Sequence, residues 1–452
     1  MNKKIGVVSL GCPKNLVDSE IMLGLLKKND YEITADKEAA NVIIVNTCGF
    51  IESAKEESIN TILEMAEFKE RNCELLIVVG CLAQRYKDEI LNEIPEVDAV
   101  IGTGGYGEIA RIIDEAYGYK KAGTEEKAVF HDNLDSIQYL KGERLISTKS
   151  GYVYLKIAEG CDNCCTYCII PSLRGPYRSR SIEDIICEAQ LLAERGAKEV
   201  ILVAQDVTSY GKDIYKEKRL VHLIREISRI QGIEWIRLLY CYPEEIDDDL
   251  IDEIAGNNKV LKYLDIPIQH VSDKILKLMG RRGTSAGVGD LLTKLKARIP
   301  DIVIRTSLIV GFPGEDEKDF KALYDFVKKF EFDRLGVFAY SKEEGTPAYD
   351  IKPHIKKSVK ESRRNDIMQL QKEITYEKNQ KRLDKIYRTL VEGVSEDGIF
   401  YHGRTYAEAP DIDGSIYFTS IEPLKTGEFV DVRILNTDEY DLIGEVVNES
   451  SK

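Results

Sequence analysis

The chain has 452 residues, a length typical of about three domains. Its hydrophobic content of 43% and charged content of 31% are ordinary for a globular protein and exclude wholesale disorder. The formal charge of -15 argues against a chain that grips nucleic acid over its whole surface, although a local basic groove remains compatible with it.

The N-terminus and the cysteine usage bear on the compartment. A short apolar run follows the first charged residues, but no signal-peptide h-region follows, and no apolar stretch of about 18 residues occurs. We therefore expect a soluble, cytoplasmic protein with no membrane partner. Stable disulfides are rare there, so the spacing of the ten cysteines points first to metal or catalytic chemistry.

Residues 1–118 alternate between apolar runs and amphipathic stretches. The apolar runs predict buried strands over 5–10, 41–46, 75–80 and 97–102. The amphipathic stretches predict helices over 15–29, 52–71 and 83–94. Strands separated by helices imply an N-terminal domain built on a parallel α/β sheet. The pattern dissolves over 119–146, which we interpret as a connector.

A second strand–helix series predicts a domain over 147–378. Its strands are predicted at 152–158, 199–204, 235–240, 263–268, 302–310 and 334–340. Six such units suit an open (β/α)6 barrel, a partial TIM barrel, better than a complete eightfold one.

The C-terminal part predicts a long polar helix and then a small β-barrel. The helix pattern is rich in Lys and Arg and covers 354–384. Short β-type runs separated by Gly, Asp and Pro follow it. They predict a barrel domain over 380–448.

Cys161, Cys165 and Cys168 form a C-x3-C-x2-C pattern directly after the first predicted barrel strand. Thiolates are soft ligands suited to iron–sulfur clusters, and a tight loop can aim three of them at one cube. Three ligands for four irons leave one iron open. A zinc loop or chance clustering is the alternative, but zinc usually takes a fourth ligand, which this neighbourhood lacks. The alternative set of three ligands is Cys161, Cys164 and Cys168, in which Cys164 replaces Cys165.

Cys12, Cys48 and Cys81 each follow a different predicted strand of the N-terminal sheet. Ligands collect beyond the carboxyl ends of parallel strands, so these three thiols can converge without being neighbours in sequence. Each alone would more often be a small buried hydrophobe. Three after successive strands favour a second cluster. We interpret the other three isolated cysteines as packing residues: Cys73, Cys187 and Cys241.

The cysteine pattern around Tyr167, with a six-unit barrel behind it, resembles the radical S-adenosylmethionine superfamily. Both cysteine groups together resemble the methylthiotransferase family over nearly the whole chain. The matching stretches are SLGCPKNLVDSE (9–20), NTCGFIESAKEES (46–58), GCLAQRY (80–86), EGCDNCCTYCIIPSLRGPYRSR (159–180) and IVGFPGE (309–315). The final barrel is similar to that family's TRAM domain. GCPKNLVDSE, NTCGFI and AQDVTSYG (204–211) are similar to its RimO branch, whereas the transfer-RNA branches usually carry other residues after the first Gly-Cys.

The resemblance implies an enzyme that inserts sulfur and a methyl group at an unactivated C–H bond by a radical route. It implies two [4Fe-4S] clusters, one on each group of three cysteines. S-adenosylmethionine would chelate the open iron of the cluster on Cys161, Cys165 and Cys168, with Tyr167 near the adenine. Electrons would come from an external low-potential donor. The RimO branch acts on an aspartate of small-subunit ribosomal protein S-twelve, free or in the ribosome.

Further candidates follow the predicted barrel strands. Gln205 and Asp206 end the second strand, where the superfamily often places groups that hold the methionine amine. Gly311 and Pro313 follow the fifth strand, where they form a turn and are candidates for contact with the cosubstrate. The remaining candidates are pocket-lining residues Asp265, Gln269 and His270, and possible carboxylate-binding residues Arg174, Arg178 and Arg180.

The alternative substrate is a modified adenosine in transfer RNA. Residues 385–452 carry six Lys or Arg and fourteen Asp or Glu, so this barrel is a poor grip for phosphates and suits a basic protein. The basic stretch 354–384 weakens that argument without reversing it. We expect exposed acids of the barrel to attract the partner: Asp411, Asp413, Asp438 and Glu439. A non-catalytic two-cluster electron carrier is a third interpretation, disfavoured by the barrel.

Overall fold

The structure is a computed structural model that describes residues 3–124, 126–130, 134–148 and 151–447. Its described residues form two six-stranded parallel sheets, a closed β-barrel and a two-stranded ribbon. The predicted α/β fold class, with an open six-unit barrel and a small C-terminal β-barrel, is confirmed. Among the described residues, no helix has both the length and the apolar character needed to cross a bilayer.

The N-terminal sheet is built from strands β1 Lys4–Ser9, β2 Glu32–Ile33, β3 Val42–Thr47, β4 Leu75–Gly80, β5 Ala99–Ile101 and β6 Ala128–Phe130. They lie in the order β2-β1-β3-β4-β5-β6, and all pairs are parallel. The covering helices are α1 Pro13–Lys28, α2 Glu52–Ala66, α3 Cys81–Arg85, α4 Lys87–Glu93 and α5 Ile109–Ala122. β3 and β4 are buried at every position, which explains their continuous apolar sequence.

The strands β2 and β6 were absent from the prediction. β6 lies in the segment 119–146 that we interpret as a connector, and it extends the sheet by pairing with β5. Runs of two or three residues carry too little periodicity to be recognised as strands. The predicted helix over 83–94 is divided at Tyr86 into α3 and α4.

The central domain contains strands β7 Tyr152–Lys156, β8 Ala158–Glu159, β9 Arg178–Ser179, β10 Glu199–Val203, β11 Trp235–Leu238, β12 Val260–Asp265, β13 Val303–Val310 and β14 Arg334–Ala339. Six of them form the open parallel sheet β14-β13-β12-β11-β10-β7, while β8 and β9 form the antiparallel ribbon. Its helices are α6 Ile170–Arg174, α7 Ile182–Glu194, α8 Lys212–Tyr215, α9 Leu220–Ser228, α10 Asp248–Gly256, α11 Asp273–Leu278, α12 Ser285–Arg298, α13 Glu317–Phe330 and α14 Lys357–Gln380.

Side-chain caps fix where several of these helices begin. Ser181, Asp247 and Asp316 each accept a hydrogen bond from a backbone N–H in the first turn of α7, α10 and α13. Each cap satisfies a donor that the helix itself leaves free. These caps fix the first residues of α7, α10 and α13 at Ile182, Asp248 and Glu317.

The C-terminal barrel consists of β15 Ile386–Val394, β16 Tyr401–Arg404, β17 Ile416–Thr419, β18 Phe429–Asp438 and β19 Asp441–Val446, closed in the order β15-β16-β17-β19-β18. It docks on the central sheet through Glu199, the first residue of β10. The carboxylate of Glu199 accepts from Arg237 at 2.6 Å and from Arg404 of the small barrel at 2.7 Å. The small barrel thus lies at the amino ends of the central strands, opposite their carboxyl ends.

The acids at this docking surface differ from the expectation. Asp413 was expected to be exposed, but its side chain is only 3% exposed and accepts a hydrogen bond from the Tyr263 hydroxyl at 2.7 Å. Asp411 is exposed, yet its carboxylate accepts from the hydroxyls of Tyr152 and Tyr154. Charge composition alone does not show that two domains dock through an acid, so the expectation for Asp413 is wrong.

Candidate functional site

Cys12, Cys48 and Cys81, here called the N-terminal triad, lie at the carboxyl ends of β1, β3 and β4. Their loops touch one another. Gly11 has φ +84, and a Cβ there would lie 2.9 Å from the Cβ of Cys48. A Cβ at Gly49 would lie 3.0 Å from the carbonyl oxygen of Cys81. The structure therefore brings the three thiols to one edge of the sheet, and two glycines permit the close approach.

Asn15 ties two of these loops together. Its side-chain amide donates to the carbonyl oxygens of Leu10 at 3.1 Å and Thr47 at 3.0 Å, the residues that lead into the first two cysteine loops. Pro13 begins α1 directly after the first cysteine, where its fixed φ suits the first helical position. Asn15, buried in the first turn of α1, is thereby a positioning residue for the triad.

The charges around the N-terminal triad act differently on its thiols. Burial raises the pKa of Cys48 to about 11 and also raises the pKa of Cys81. Burial alone would raise the pKa of Cys12, but the cations of Lys14 and Arg174 outweigh it, and the pKa lies below its ordinary value. Because the thiolate is the form that binds metal, these cations favour the binding form of Cys12.

Cys161, Cys165 and Cys168, here called the loop triad, follow β8 in a loop that the pairing of β8 with β9 closes. The three thiols are half-buried, and burial raises the pKa of Cys161 to about 11 and of Cys168 to about 12. The Sγ of Cys168 accepts a hydrogen bond from the N–H of Ile170 at 3.4 Å. Cys164, in contrast, is exposed.

The cysteine loop is anchored to the carboxyl ends of the barrel strands. Asn163 donates to the carboxylate of Asp206 at 3.0 Å, just after β10. The N–H of Thr166 donates to the carbonyl oxygen of Met279 at 2.9 Å. Gly280, at φ +69, lies against the carbonyl of Cys164, where a Cβ would collide with the loop. The barrel therefore supplies these anchors of the cysteine loop.

The donor chemistry at both edges fits iron–sulfur clusters. Each triad supplies three thiols, and glycines rather than larger residues line the loops that hold them. Within the described residues, no three His, Cys, Asp or Glu side chains are grouped closely enough to hold a metal ion. A four-iron cube is larger than one ion and spreads its thiolates further apart, so this spacing argues against zinc rather than against a cube.

A single layer of side chains separates the two triads. Cys81 packs in one apolar cluster with Ile169 and Leu173, and Ile169 directly follows Cys168 of the loop triad. Arg174, 2% exposed, donates a hydrogen bond to the Cys81 thiol from the same side. The carboxyl edges of the two sheets therefore face each other across α6.

Behind this layer lies a buried network of four charged side chains. Arg174 donates to Asp18 of α1 at 2.7 Å and to Glu159 at 3.0 Å. Lys156, at the end of β7, lies 2.6 Å from Asp18 and also pairs with Glu159. Burial would raise the pKa of Glu159, but the two cations outweigh it and hold the pKa well below its usual range. Two carboxylates and two cationic side chains thus join the N-terminal domain to the barrel.

Arg174→Met is expected to lower the free energy of unfolding by about 3 kcal/mol. The substitution keeps much of the side-chain volume but leaves Asp18 and Glu159 with Lys156 as their only cation. Urea-induced unfolding followed by the fluorescence of Trp235, the single tryptophan, measures the effect in the barrel.

Arg178→Met is the matched control for this prediction. Arg178 lies four residues away and donates to backbone carbonyl oxygens, including that of Pro176 at 3.0 Å, rather than to buried carboxylates. Its removal should cost much less. An Arg174→Met protein as stable as the Arg178→Met protein would contradict a stabilising role for the buried network.

Gln205 and Asp206, the cosubstrate candidates after β10, differ in whether their side-chain oxygens already accept hydrogen bonds within the protein. Gln205 donates to Glu159, while its Oε1 is buried without a hydrogen-bond partner among the described residues and can accept from a bound group. Asp206 is 1% exposed, and its carboxylate accepts hydrogen bonds from the Asn163 amide, the Thr208 hydroxyl and the backbone N–H of Ser209 in the turn that follows. Its contacts are those of a positioning residue for the cysteine loop.

The glycine-rich turn after β13 lies beside the cysteine loop. Gly311, at φ +70, donates its N–H to Glu315 at 2.8 Å, and Pro313 is buried. Phe312 packs in one apolar cluster with Tyr167 of the loop, so the two segments are adjacent. The turn alone accounts for the presence of Gly311 and Pro313. Because the turn is adjacent to Tyr167, both residues remain candidates for contact with the cosubstrate.

Most other candidate residues serve the fold. His270 is fully buried and accepts a hydrogen bond from the N–H of Ser272 at 2.9 Å, and the neighbouring Gln269 has φ +67. Asp265 pairs with Arg305 at 2.8 Å. Arg174 and Arg180 pair with carboxylates of the chain itself: Asp18, Glu159, Asp184 and Glu188.

Family models match three parts of the chain. The model described as uncharacterized protein family UPF0004 matches residues 4–102, the radical SAM superfamily matches 155–327, and the TRAM domain matches 385–447. The chain is 75% identical to the ribosomal protein uS12 methylthiotransferase RimO of Acetivibrio thermocellus, over 100% of both chains. It is 52% identical to the protein of that name from Clostridium kluyveri, over 99% of both.

Solved structures of similar fold are distant in sequence. The radical S-adenosylmethionine methyltransferase TsrM from Kitasatospora setae has a TM-score of 0.58 and 16% identity, over 77% of each chain. The cobalamin-dependent S-adenosylmethionine radical enzyme OxsB has a TM-score of 0.51 and 13% identity, over 83% of this chain and 56% of that one. At these identities the likeness shows the fold alone.

Proposed function

The chain belongs to the RimO family of radical S-adenosylmethionine methylthiotransferases, and on that premise we propose that it methylthiolates the β-carbon of an aspartate in ribosomal protein uS12. The family predicted from the sequence is confirmed by relatives that match the whole length of the chain. The observation that carries the proposal is the placement of two cysteine triads on facing sheet edges, one layer of side chains apart.

We assign the loop triad to the [4Fe-4S] cluster that reacts with S-adenosylmethionine. Cys161, Cys165 and Cys168 hold it and leave one iron for the cosubstrate, while the exposed Cys164 stays outside. A cluster held by these three thiols would supply one-electron reduction of S-adenosylmethionine, with the electron from an external low-potential donor. The free Oε1 of Gln205 and the ring of Tyr167 border the place of the cosubstrate.

Radical chemistry is what the substrate requires. An aliphatic C–H bond has no useful acidity, so a general base near neutral pH cannot remove its proton efficiently. The described site accordingly presents three thiols at each of the two edges. Abstraction of a hydrogen atom avoids the need for an acidic proton.

We assign a second cluster to the N-terminal triad. Cys12, Cys48 and Cys81 would hold it and leave one iron without a protein ligand, where the sulfur to be transferred could bind. Lys14 and Arg174 favour the thiolate of Cys12, and Asn15 fixes the loops. The barrel side would therefore activate the carbon, and the sheet side would supply the sulfur, from facing edges that one layer of side chains separates.

The surface charge supports a basic protein as the partner. The small barrel carries exposed acids that form no interdomain contacts, such as Glu396, Glu422 and Asp438. An acidic surface attracts a basic ribosomal protein and repels the phosphates of transfer RNA. Because this barrel docks opposite the cysteine edge, its contacts with the partner lie away from the reacting carbon.

The test compares uS12 and transfer RNA as substrates of the same protein. The anaerobically reconstituted chain is offered free uS12, small ribosomal subunits and total transfer RNA, with S-adenosylmethionine, a sulfur source and a reductant. Mass spectrometry should find a methylthio group on one aspartate of uS12 and none on transfer RNA. The same chain with its loop triad replaced by Ala is the inactive control. Methylthioadenosine in transfer RNA, with unmodified uS12, would favour the RNA alternative.

A further inference from the structure

Lys14 is a buried lysine of the N-terminal domain that reaches the central barrel. The residue is only 8% exposed. Its Nζ lies 3.4 Å from the centroid of the Tyr240 ring. Tyr240 follows β11, at the carboxyl end of the barrel. Lys14 therefore places a positive charge where the two sheet edges meet.

This charge has no carboxylate partner of its own. Among the residues that the structure describes, Lys14 forms no ion pair with a carboxylate. The other buried cations at the domain junction do, since Lys156 and Arg174 share Asp18 and Glu159. The ammonium of Lys14 therefore keeps N–H donors with which it can bind a carboxylate supplied from outside.

The segment that carries Tyr240 also touches the loop triad. Two residues further on, the Tyr242 hydroxyl lies 3.6 Å from the Sγ of Cys165. Tyr240 itself has φ +62, a conformation that non-glycine residues rarely adopt, and Asp265 holds it by accepting its N–H at 3.0 Å. Since Lys14 also lies two residues after Cys12, its ammonium stands between the two triads.

We propose that Lys14 binds the side-chain carboxylate of the substrate aspartate; this rests on the proposed function. The carboxylate is bonded directly to the β-carbon that reacts. Anchoring it therefore fixes that carbon between the hydrogen-abstracting side and the sulfur-bearing side. A charge-assisted hydrogen bond also selects an anionic side chain over an uncharged amide or a nucleobase.

Two other anions near Lys14 fit its contacts less well. The thiolate of Cys12 is close enough to interact electrostatically, but the ammonium lies on the Tyr240 ring and makes no hydrogen bond to that thiol among the described contacts. The carboxylate of S-adenosylmethionine belongs on the loop side, which has its own cation, since Arg281 lies 3.7 Å from the centroid of the Tyr242 ring. Of these three anions, the substrate carboxylate fits the position of the Lys14 ammonium best.

The test measures preference for aspartate over asparagine at the modified position of uS12. Binding of labelled uS12 and of its Asp→Asn form to the reconstituted holoenzyme is followed by fluorescence anisotropy, together with KM and kcat for the aspartate protein. Lys14→Gln should weaken binding of the aspartate protein roughly ten- to hundredfold, the range of a hydrogen bond to a charged group. The asparagine protein should be affected little, so the preference should largely disappear.

Lys14→Arg keeps the charge and should keep most of the preference. Equal weakening of both proteins by Lys14→Gln, or no weakening, would overturn the proposal. Unaltered holoenzyme that binds the two proteins equally would overturn it as well, whether or not the variant folds. If unaltered holoenzyme leaves uS12 unmodified, the proposed function fails, and that outcome is separate from the preference measured by binding.

Discussion

Replacing Cys161, Cys165 and Cys168 together with Ala is expected to remove about half of the bound iron and all formation of deoxyadenosine from S-adenosylmethionine. The three thiols are half-buried members of a loop that hydrogen bonds anchor to the barrel. Without them the cosubstrate has no open iron to bind. Iron and sulfide assays after anaerobic reconstitution, with chromatography of the nucleoside, measure both quantities.

Cys164→Ala is the control from the same loop. The Cys164 thiol is exposed and lies 3.8 Å from the carbonyl oxygen of Asp162, so its loss should leave iron and deoxyadenosine unchanged. Unchanged iron in the triple variant would show that the loop holds no cluster. Loss of iron in Cys164→Ala, with iron retained in Cys165→Ala, would show that Cys164 rather than Cys165 is the second cluster ligand.

The cysteines could be found from the sequence because each lies where a strand pattern ends. The apolar runs 5–10, 41–46 and 75–80 predict parallel strands, and the geometry of such a sheet brings their carboxyl ends together. The positions of Cys12, Cys48 and Cys81 follow from topology without knowledge of side-chain contacts. The closeness of the two triads does not follow, because it depends on how two domains dock.

The buried charges of α1 show where sequence reasoning failed. Lys14, Asn15, Asp18 and Glu20 are all buried in this helix. A charged residue on an amphipathic helix is ordinarily interpreted as part of its solvated face. Here that face is covered by the barrel, whose Lys156 and Arg174 supply the partners. A cluster of charges inside the stretch that includes Cys12 was the available signal, and it needed the opposing domain to be understood.

The C-terminal barrel illustrates the same limit. Its strands could be predicted from alternating short runs and turn residues, and the structure closes them into a barrel. The sequence shows the number of acidic residues in this barrel, but it does not show which of them are buried. Glu408 is buried because Arg334 and Arg382 reach it from the central domain, and these three residues are at least 26 positions apart in sequence. Pairings over such separations carry no local pattern.

Replacing Cys12, Cys48 and Cys81 together with Ala should abolish the methylthio product while cleavage of S-adenosylmethionine continues at least in part. The loop triad is anchored within the barrel, through Asn163 and Thr166 among others, and keeps its three thiols and open iron. The N-terminal triad instead supplies the place for sulfur. Mass spectrometry of uS12 and chromatography of deoxyadenosine, from the same reaction, separate the two roles.

Cys73→Ala is the matched control in the same domain. Cys73 is buried like Cys81, but it follows no strand of the sheet, and its thiol donates to the carbonyl oxygen of Leu75 at 3.2 Å. The variant should keep its iron and its methylthio product, because a packing cysteine contributes volume and no ligand. Normal methylthio product from the triple variant would contradict a second cluster. Loss of both deoxyadenosine and product would instead show that the facing edges, joined through Cys81 and Ile169, depend on each other for cluster binding.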